Sequence, residues 1–207
     1  IQLTLEGGTE NTQFTATTWK EAFPTGDIVS IRDRDTPLEI RDSGTPSAYR
    51  VYDGGGATID VRHAHDQCIV IDASYVIIRG LILKGAGSGE ASRGRPMGAV
   101  QIDGGHDIVI EDCDISDWGR RNPETGYGRD YDSAIFSRNS DVHRLIIQRC
   151  KMHHPRWNCS PWDDRFRNHT MGPQCVTLFN TGGNHVIRYN ECWSDLDRMY
   201  NDGIGGG

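Results

Sequence analysis

Four stretches of this chain repeat one another, and no other feature limits the fold as tightly. "CIVIDASYVIIRGLILKGA" from Cys68, "AVQIDGGHDIVIEDCDIS" from Ala99, "AIFSRNSDVHRLIIQRCKMH" from Ala134 and "CVTLFNTGGNHVIRYNECWS" from Cys175 align, and "GIGGG" at Gly203 begins a fifth. Each opens on a small residue followed by a β-branched one: Cys68-Ile69, Ala99-Val100, Ala134-Ile135, Cys175-Val176 and Gly203-Ile204. The starts lie 31, 35, 41 and 28 residues apart. A unit of that size cannot bury an apolar face by itself, so the copies must stack on one another.

Apolar residues alternate with polar ones inside each copy, the period of a strand. The second run places matching groups at Val76/Ile78/Leu81/Leu83, Ile108/Ile110/Cys113/Ile115, Leu145/Ile147/Cys150/Met152 and, more loosely, His185/Ile187/Asn190/Cys192. Two strands per copy, joined by corners and followed by an insertion of variable length, read as coils of a right-handed parallel β-helix. Like residues one coil apart then become neighbours at about 4.8 Å.

The outward positions test that register. Ile82, Asp114, Lys151 and Glu191 share one slot, and Arg79 and Glu111 share another. Opposite charges next to each other in a ladder are favourable by a few tenths of a kcal/mol up to roughly 1 kcal/mol. The simplest reading of these charges is a row of solvated ladder pairs. The cysteines fit the same register. Cys113 and Cys150 occupy one inward slot, Cys192 a neighbouring one, and Cys68 and Cys175 the small opening position, where free thiols pack as small apolar groups. Asn190, in line with Cys113 and Cys150, needs backbone partners for its amide at the corner.

Before the repeats, Thr18-Trp19-Lys20-Glu21 has the pattern of a capping box and is followed by a stop at Pro24 and Gly26. A short N-terminal helix there would cap the open end of the solenoid. The expected organisation is one domain over residues 1–207. Residues 1–57 would form the cap and irregular first coils, and residues 58–207 the regular coils. The carboxyl end carries no cap, which predicts either a longer natural chain or end-to-end self-association.

The 25 Gly and the mean hydropathy of -0.58 agree with many turns and little helix. No apolar run is long enough to span a membrane, and the start "IQLTLEGG" lacks both a basic leader and an initiator Met, as expected for a soluble, processed chain. A net charge of -7 argues against nucleic acid as a partner.

With its entry segment "TWKEAFPTGDIVSIRD", its repeats and "YNDGI", the chain resembles the right-handed parallel β-helix proteins of the pectate-lyase-like superfamily. That resemblance implies a secreted or cell-surface protein acting on polysaccharide as a lyase, hydrolase or epimerase. It also admits a non-catalytic structural or filament solenoid. Ca²⁺ is the one cofactor it suggests. However, family members that hold Ca²⁺ do so with outward acids on neighbouring first strands, and the corresponding positions here are Val70, Gln101, Phe136 and Thr177.

Any chemistry is expected in the insertions, which leave the solenoid on one side at residues 84–98, 117–133, 153–174 and 194–202. These segments combine Arg with aromatic rings, suited to carboxylates and to sugar C–H faces. A uronate lyase must neutralise a carboxylate, remove the C5 proton and release the 4-oxygen. A hydrolase needs two carboxylates instead. His154, Arg156, Asp202 and Asp132 are the candidate catalytic residues, because the ends of the insertions return close to one line. Arg95, Arg120, Trp157, Trp162, Asp163, Asp164, Arg165 and Arg198 are the candidate substrate-binding residues. His153, His154, His169 and Cys159 lack the spacing of a known zinc motif, so no metal site is expected. The leading expectation is a secreted β-helix that binds an acidic polysaccharide and cleaves it by β-elimination.

Overall fold

The computed structural model describes residues 22–162, 170–195 and 204–206, and among them it is all-β with no helix. The first strand, β1 (Thr25–Ser30), is followed by β2 (Leu38–Ile40), β3 (Tyr49–Asp53) and β4 (Thr58–Asp60). The next coil is β5 (Ile69–Asp72), β6 (Val76–Arg79) and β7 (Ile82–Lys84). After it come β8 (Gly98–Gly104), β9 (His106–Glu111) and β10 (Asp114–Ser116), then β11 (Ser133–Ser137), β12 (His143–Gln148) and β13 (Lys151–His153). The last full coil is β14 (Gln174–Leu178), β15 (Val186–Arg188) and β16 (Glu191–Trp193), with β17 (Ile204–Gly206) opening another.

From β2 onward strands three apart in sequence pair in parallel, and β1 pairs with β3, so the chain winds through three sheets in turn. Sheet I holds β2, β5, β8, β11, β14 and β17; sheet II holds β1, β3, β6, β9, β12 and β15; sheet III holds β4, β7, β10, β13 and β16. The architecture is that of a parallel β-solenoid. Its register is the one the repeats predict. Ile69, Val100, Ile135, Val176 and Ile204 pair along sheet I, Arg79 pairs with Glu111 in sheet II, and Ile82, Asp114, Lys151 and Glu191 pair along sheet III. The proposed cap helix falls on Thr18 to Glu21, outside the described residues. Strand β1 begins at Thr25, between Pro24 and Gly26, the expected helix stop.

Each coil has three strands, not the two expected from its apolar runs. The second run is broken in the middle by a residue in the left-handed backbone region: Gly80 (φ 64°), Asp112 (53°), Arg149 (53°) and Tyr189 (57°) in successive coils. A matching column, Tyr75, Asp107, Arg144 and Asn184, turns sheet I into sheet II. A non-glycine residue there costs about 1–2 kcal/mol. Hydrogen bonds to the adjacent coil hold the strained corners in place: Tyr75 N–H donates to His106 O, Asp112 N–H to Gln148 O and Arg144 N–H to Gly183 O.

The interior is a stack of aliphatic rows. Val76, Ile108 and Leu145 form one row, and Leu83, Ile115 and Met152 another, all at 0% exposure. Cys113 and Cys150 are buried free thiols in contact, and the Cys113 pKa is pushed well above its ordinary value, first by that contact and then by burial. Asn190 is satisfied as the corner requires: its Oδ1 accepts Cys150 N–H at 2.9 Å, and its Nδ2 donates to Ile147 O at 2.9 Å.

Outside, the two corner columns carry parallel acid–base pairs one coil apart. Arg144 binds Asp107 through Nε at 3.0 Å and through Nη2, and Arg149 Nε binds Asp112 at 2.8 Å. Burial alone would raise the Asp107 carboxyl, but the Arg144 and His106 hydrogen bonds hold it below the ordinary carboxylate value. Arg149 does the same for Asp112. Because the folded-state pKa values are depressed, the stabilisation is present above the ordinary value near 3.8 and is lost as pH falls through the lower folded values. Urea midpoints measured downward from about pH 6 should therefore fall below about pH 4, and Asp107→Asn should flatten that fall.

Candidate functional site

The insertions all leave sheet III and re-enter sheet I, and the outer face of sheet I is packed beneath them. Gln101, Phe136 and Thr177 are buried at 5%, 0% and 0%, in register with the half-buried Val70. Ser133 Oγ lies 2.6 Å from Thr177 Oγ1, and Trp118, fully buried, donates its indole N–H to Gln174 O at 3.1 Å.

Asp132 belongs to this packing. Its carboxylate is fully buried and accepts Met97 N–H at 3.1 Å, Arg120 N–H at 3.0 Å, Arg120 Nε at 2.9 Å and Arg120 Nη2 at 2.7 Å. Arg120 also donates to Arg95 O at 3.0 Å and lies 3.5 Å from Asp66. Burial pushes the Asp132 carboxyl up while the guanidinium and two backbone N–H groups pull the other way. Asp132 and Arg120 thus tie two insertions and the edge of sheet I together, with the acid sealed from solvent. The line on which the ends of the insertions meet is a seam: Asp132, Ser133 and Gln174 are all at least 99% buried.

The catalytic candidate Arg156 lies against the binding candidate Trp157. Arg156 donates to Gly87 O at 3.2 Å and stands over the Trp157 ring at 5.3 Å, with Arg121 at 6.0 Å from the same ring. Arg95 reaches Arg138 O at 3.4 Å, and Trp162 is 66% exposed. Asp163, Asp164, Arg165, Arg198 and Asp202 lie outside the described residues.

The remaining candidate, His154, sits in a cluster of titratable groups on the outer face and corner of sheet III. Strand alternation points His153 outward in a column that runs Asp60, Lys84, Ser116, His153, Trp193. His154 follows at φ 47°, and this left-handed turn carries its ring to the side of its neighbour. The two Nδ1 atoms are 2.7 Å apart. His153 Nε2 lies 2.9 Å from Asp114 Oδ1, and His154 Nε2 lies 3.3 Å from Asp195 Oδ1. The His153 ring stacks on Trp193, with centroids 4.4 Å apart and planes at 21°. Close by, His63 Nε2 lies 3.2 Å from Asp117 Oδ2, and Asp117 N–H donates to His154 O.

Asp114, expected to pair with Lys151 in its ladder, bonds His153 diagonally across the strands instead, a reach that long side chains allow. Lys151 and Lys84 stand exposed on the same face. Residue types alone offer His153 only as a ligand without a zinc spacing and Asp114 only as a ladder charge, and they give Trp193 no role. Extending the Lys151–Glu191 ladder by two residues would have placed His153 beside Trp193.

Fold and site together define a parallel β-solenoid whose third sheet presents an imidazole pair, an indole and two lysines to solvent. Comparison with protein-family models, curated proteins and solved structures finds no match to this chain. Among the described residues, no helix is long and apolar enough to cross a membrane.

Proposed function

We propose that this chain is a right-handed, pectate-lyase-like β-helix, secreted or displayed at the cell surface, that binds an acidic polysaccharide across the outer face of sheet III and cleaves it by β-elimination. The observation that carries this reading is the His153–His154 pair, each ring backed by a carboxylate, next to a 39% exposed Trp193. The indole offers area to a sugar C–H face, and Lys84 and Lys151 offer charge to uronate carboxylates. In the elimination, one Nδ1 accepts the proton from C5 as the C4–C5 double bond forms and the C4–O bond breaks. The neighbouring Nδ1 accepts a hydrogen bond from the imidazolium so produced, the carboxylate behind it offsets its charge, and the proton passes to the departing 4-oxygen.

A panel of uronate polymers, followed by ultraviolet absorbance of the unsaturated product, tests the reading. His154→Ala is expected to lower the rate about 10²- to 10⁴-fold with the melting temperature unchanged. Reducing ends released without absorbance would point to hydrolysis, and neither signal on any polymer would leave only binding or a structural solenoid.

A further inference from the structure

The hydrogen positions on the His153–His154 pair follow from the partners. A carboxylate only accepts, so the two Nε2 atoms facing Asp114 and Asp195 each carry hydrogen. In a neutral imidazole the other nitrogen then holds the lone pair. Both lone pairs are therefore on Nδ1, and the two Nδ1 atoms face each other at 2.7 Å. Such an arrangement needs a positive centre between them, either a shared proton or a metal ion.

The rings are held in this pose by the fold. Adjacent residues of a strand point to opposite faces, and these two share a face only because His154 occupies the left-handed corner. That corner is locked by His154 N–H donating to Trp193 O and by His154 O accepting Asp117 N–H. Stacking on Trp193 fixes the His153 ring. A carboxylate behind the second nitrogen is the arrangement that orients metal-binding imidazoles and raises their basicity as ligands.

We propose that His153 and His154 bind one divalent transition-metal ion of the Zn²⁺ or Cu²⁺ type through their two Nδ1 atoms, with Asp114 and Asp195 as the supporting carboxylates. Imidazole nitrogen suits these ions, whereas Ca²⁺ and Mg²⁺ require oxygen ligands. Tetrahedral Zn²⁺ with Zn–N bonds of 2.0–2.1 Å would set the nitrogens about 3.3 Å apart, so the rings must open by about 0.6 Å. Asp195, 73% exposed, can follow that movement. Among the described residues no group of three or more His, Cys, Asp or Glu converges on one point. The remaining coordination positions are left to water or to a substrate oxygen. This inference rests on the geometry of the pair and does not depend on the β-elimination reading; an ion held on both Nδ1 atoms takes the lone pairs that elimination uses, so the pair would act as base only in the metal-free chain.

Titration calorimetry of the whole chain with ZnCl₂, in a non-chelating buffer and without glycan, tests it. One ion per chain is expected at this site. His153→Ala and His154→Gln should each weaken binding at least about tenfold, and Asp114→Asn about 10- to 100-fold. Cu²⁺ should quench the emission of Trp193, seen as a difference between the wild type and Trp193→Phe, which keeps the test independent of whether the histidine variants fold. No uptake of Zn²⁺ by the wild type, equal uptake by the His153→Ala/His154→Gln double variant, or no Trp193-dependent quenching overturns the proposal. A lyase that takes up no metal sinks this inference alone, and a metal-binding chain inactive on every uronate sinks only the catalytic reading.

Discussion

Asp132→Ala is expected to destabilise the protein by about 3–5 kcal/mol, because it strips the Arg120 guanidinium of its buried partner and leaves it only the part-exposed Asp66 at 3.5 Å. Arg120 is 11% exposed and Asp132 fully buried, so water can replace little of what is lost. Met97 N–H and Arg120 N–H lose their acceptor in the same step. A urea titration at neutral pH should show the lower midpoint with an unchanged slope. The double replacement Asp132→Leu/Arg120→Met removes both charges and should recover most of the loss, since exchanging a buried ion pair for apolar side chains of similar volume is often neutral. A loss below about 1 kcal/mol for Asp132→Ala would mean that the seam is wet and that the acid is available for chemistry after all.

Gly105→Ala should be the next most damaging change. This glycine sits at φ 94° where sheet I turns toward sheet II, and a Cβ built on it would lie 2.0 Å from Ala73 O and 2.5 Å from Ala73 C in the adjacent coil. The obstacle is backbone, so no side-chain rotation relieves it and the coils must separate locally. We expect a loss on the order of 3 kcal/mol. Gly56→Ala supplies the control. Its φ of 96° is nearly the same, but nothing lies within 4 Å of the added Cβ, so it should lose only about 1–2 kcal/mol. Equal melting temperatures for the two variants would show that coil-to-coil contact at Ala73 is not what fixes this corner.

The stacking register was readable from residue types alone. A period of two along the strand and a shared slot from one coil to the next are local properties. They place Ile82, Asp114, Lys151 and Glu191 in one ladder, and Val76, Ile108 and Leu145 in one interior row, as the fold does. Buried Cys68, Cys113, Cys150 and Cys175, together with Asn190, followed from the same alignment, because an inward slot admits only groups that are apolar or that meet backbone partners, whereas Cys192, read as inward, is exposed.

Left-handed corners are harder to read. Arg149 and His154 adopt a positive φ here because hydrogen bonds from the neighbouring coil outweigh the local cost. This is why the second apolar run splits into two strands, and why His153 and His154 share one face when strand alternation would separate them.

Asp132 and Asp114 show the same division in their chemistry. As letters, the one preceding a strand resembles a free carboxylate at the rim of a groove, and the other resembles a solvated ladder charge. Packed insertions bury Asp132 against Arg120, whereas a diagonal across two strands delivers Asp114 to His153. Coil count, register and interior rows belong to the sequence, since each depends on a few neighbouring side chains. The destination of each charged group belongs to the tertiary structure, since it depends on how loops of unequal length pack over a sheet and on which distant partner reaches the group before water does.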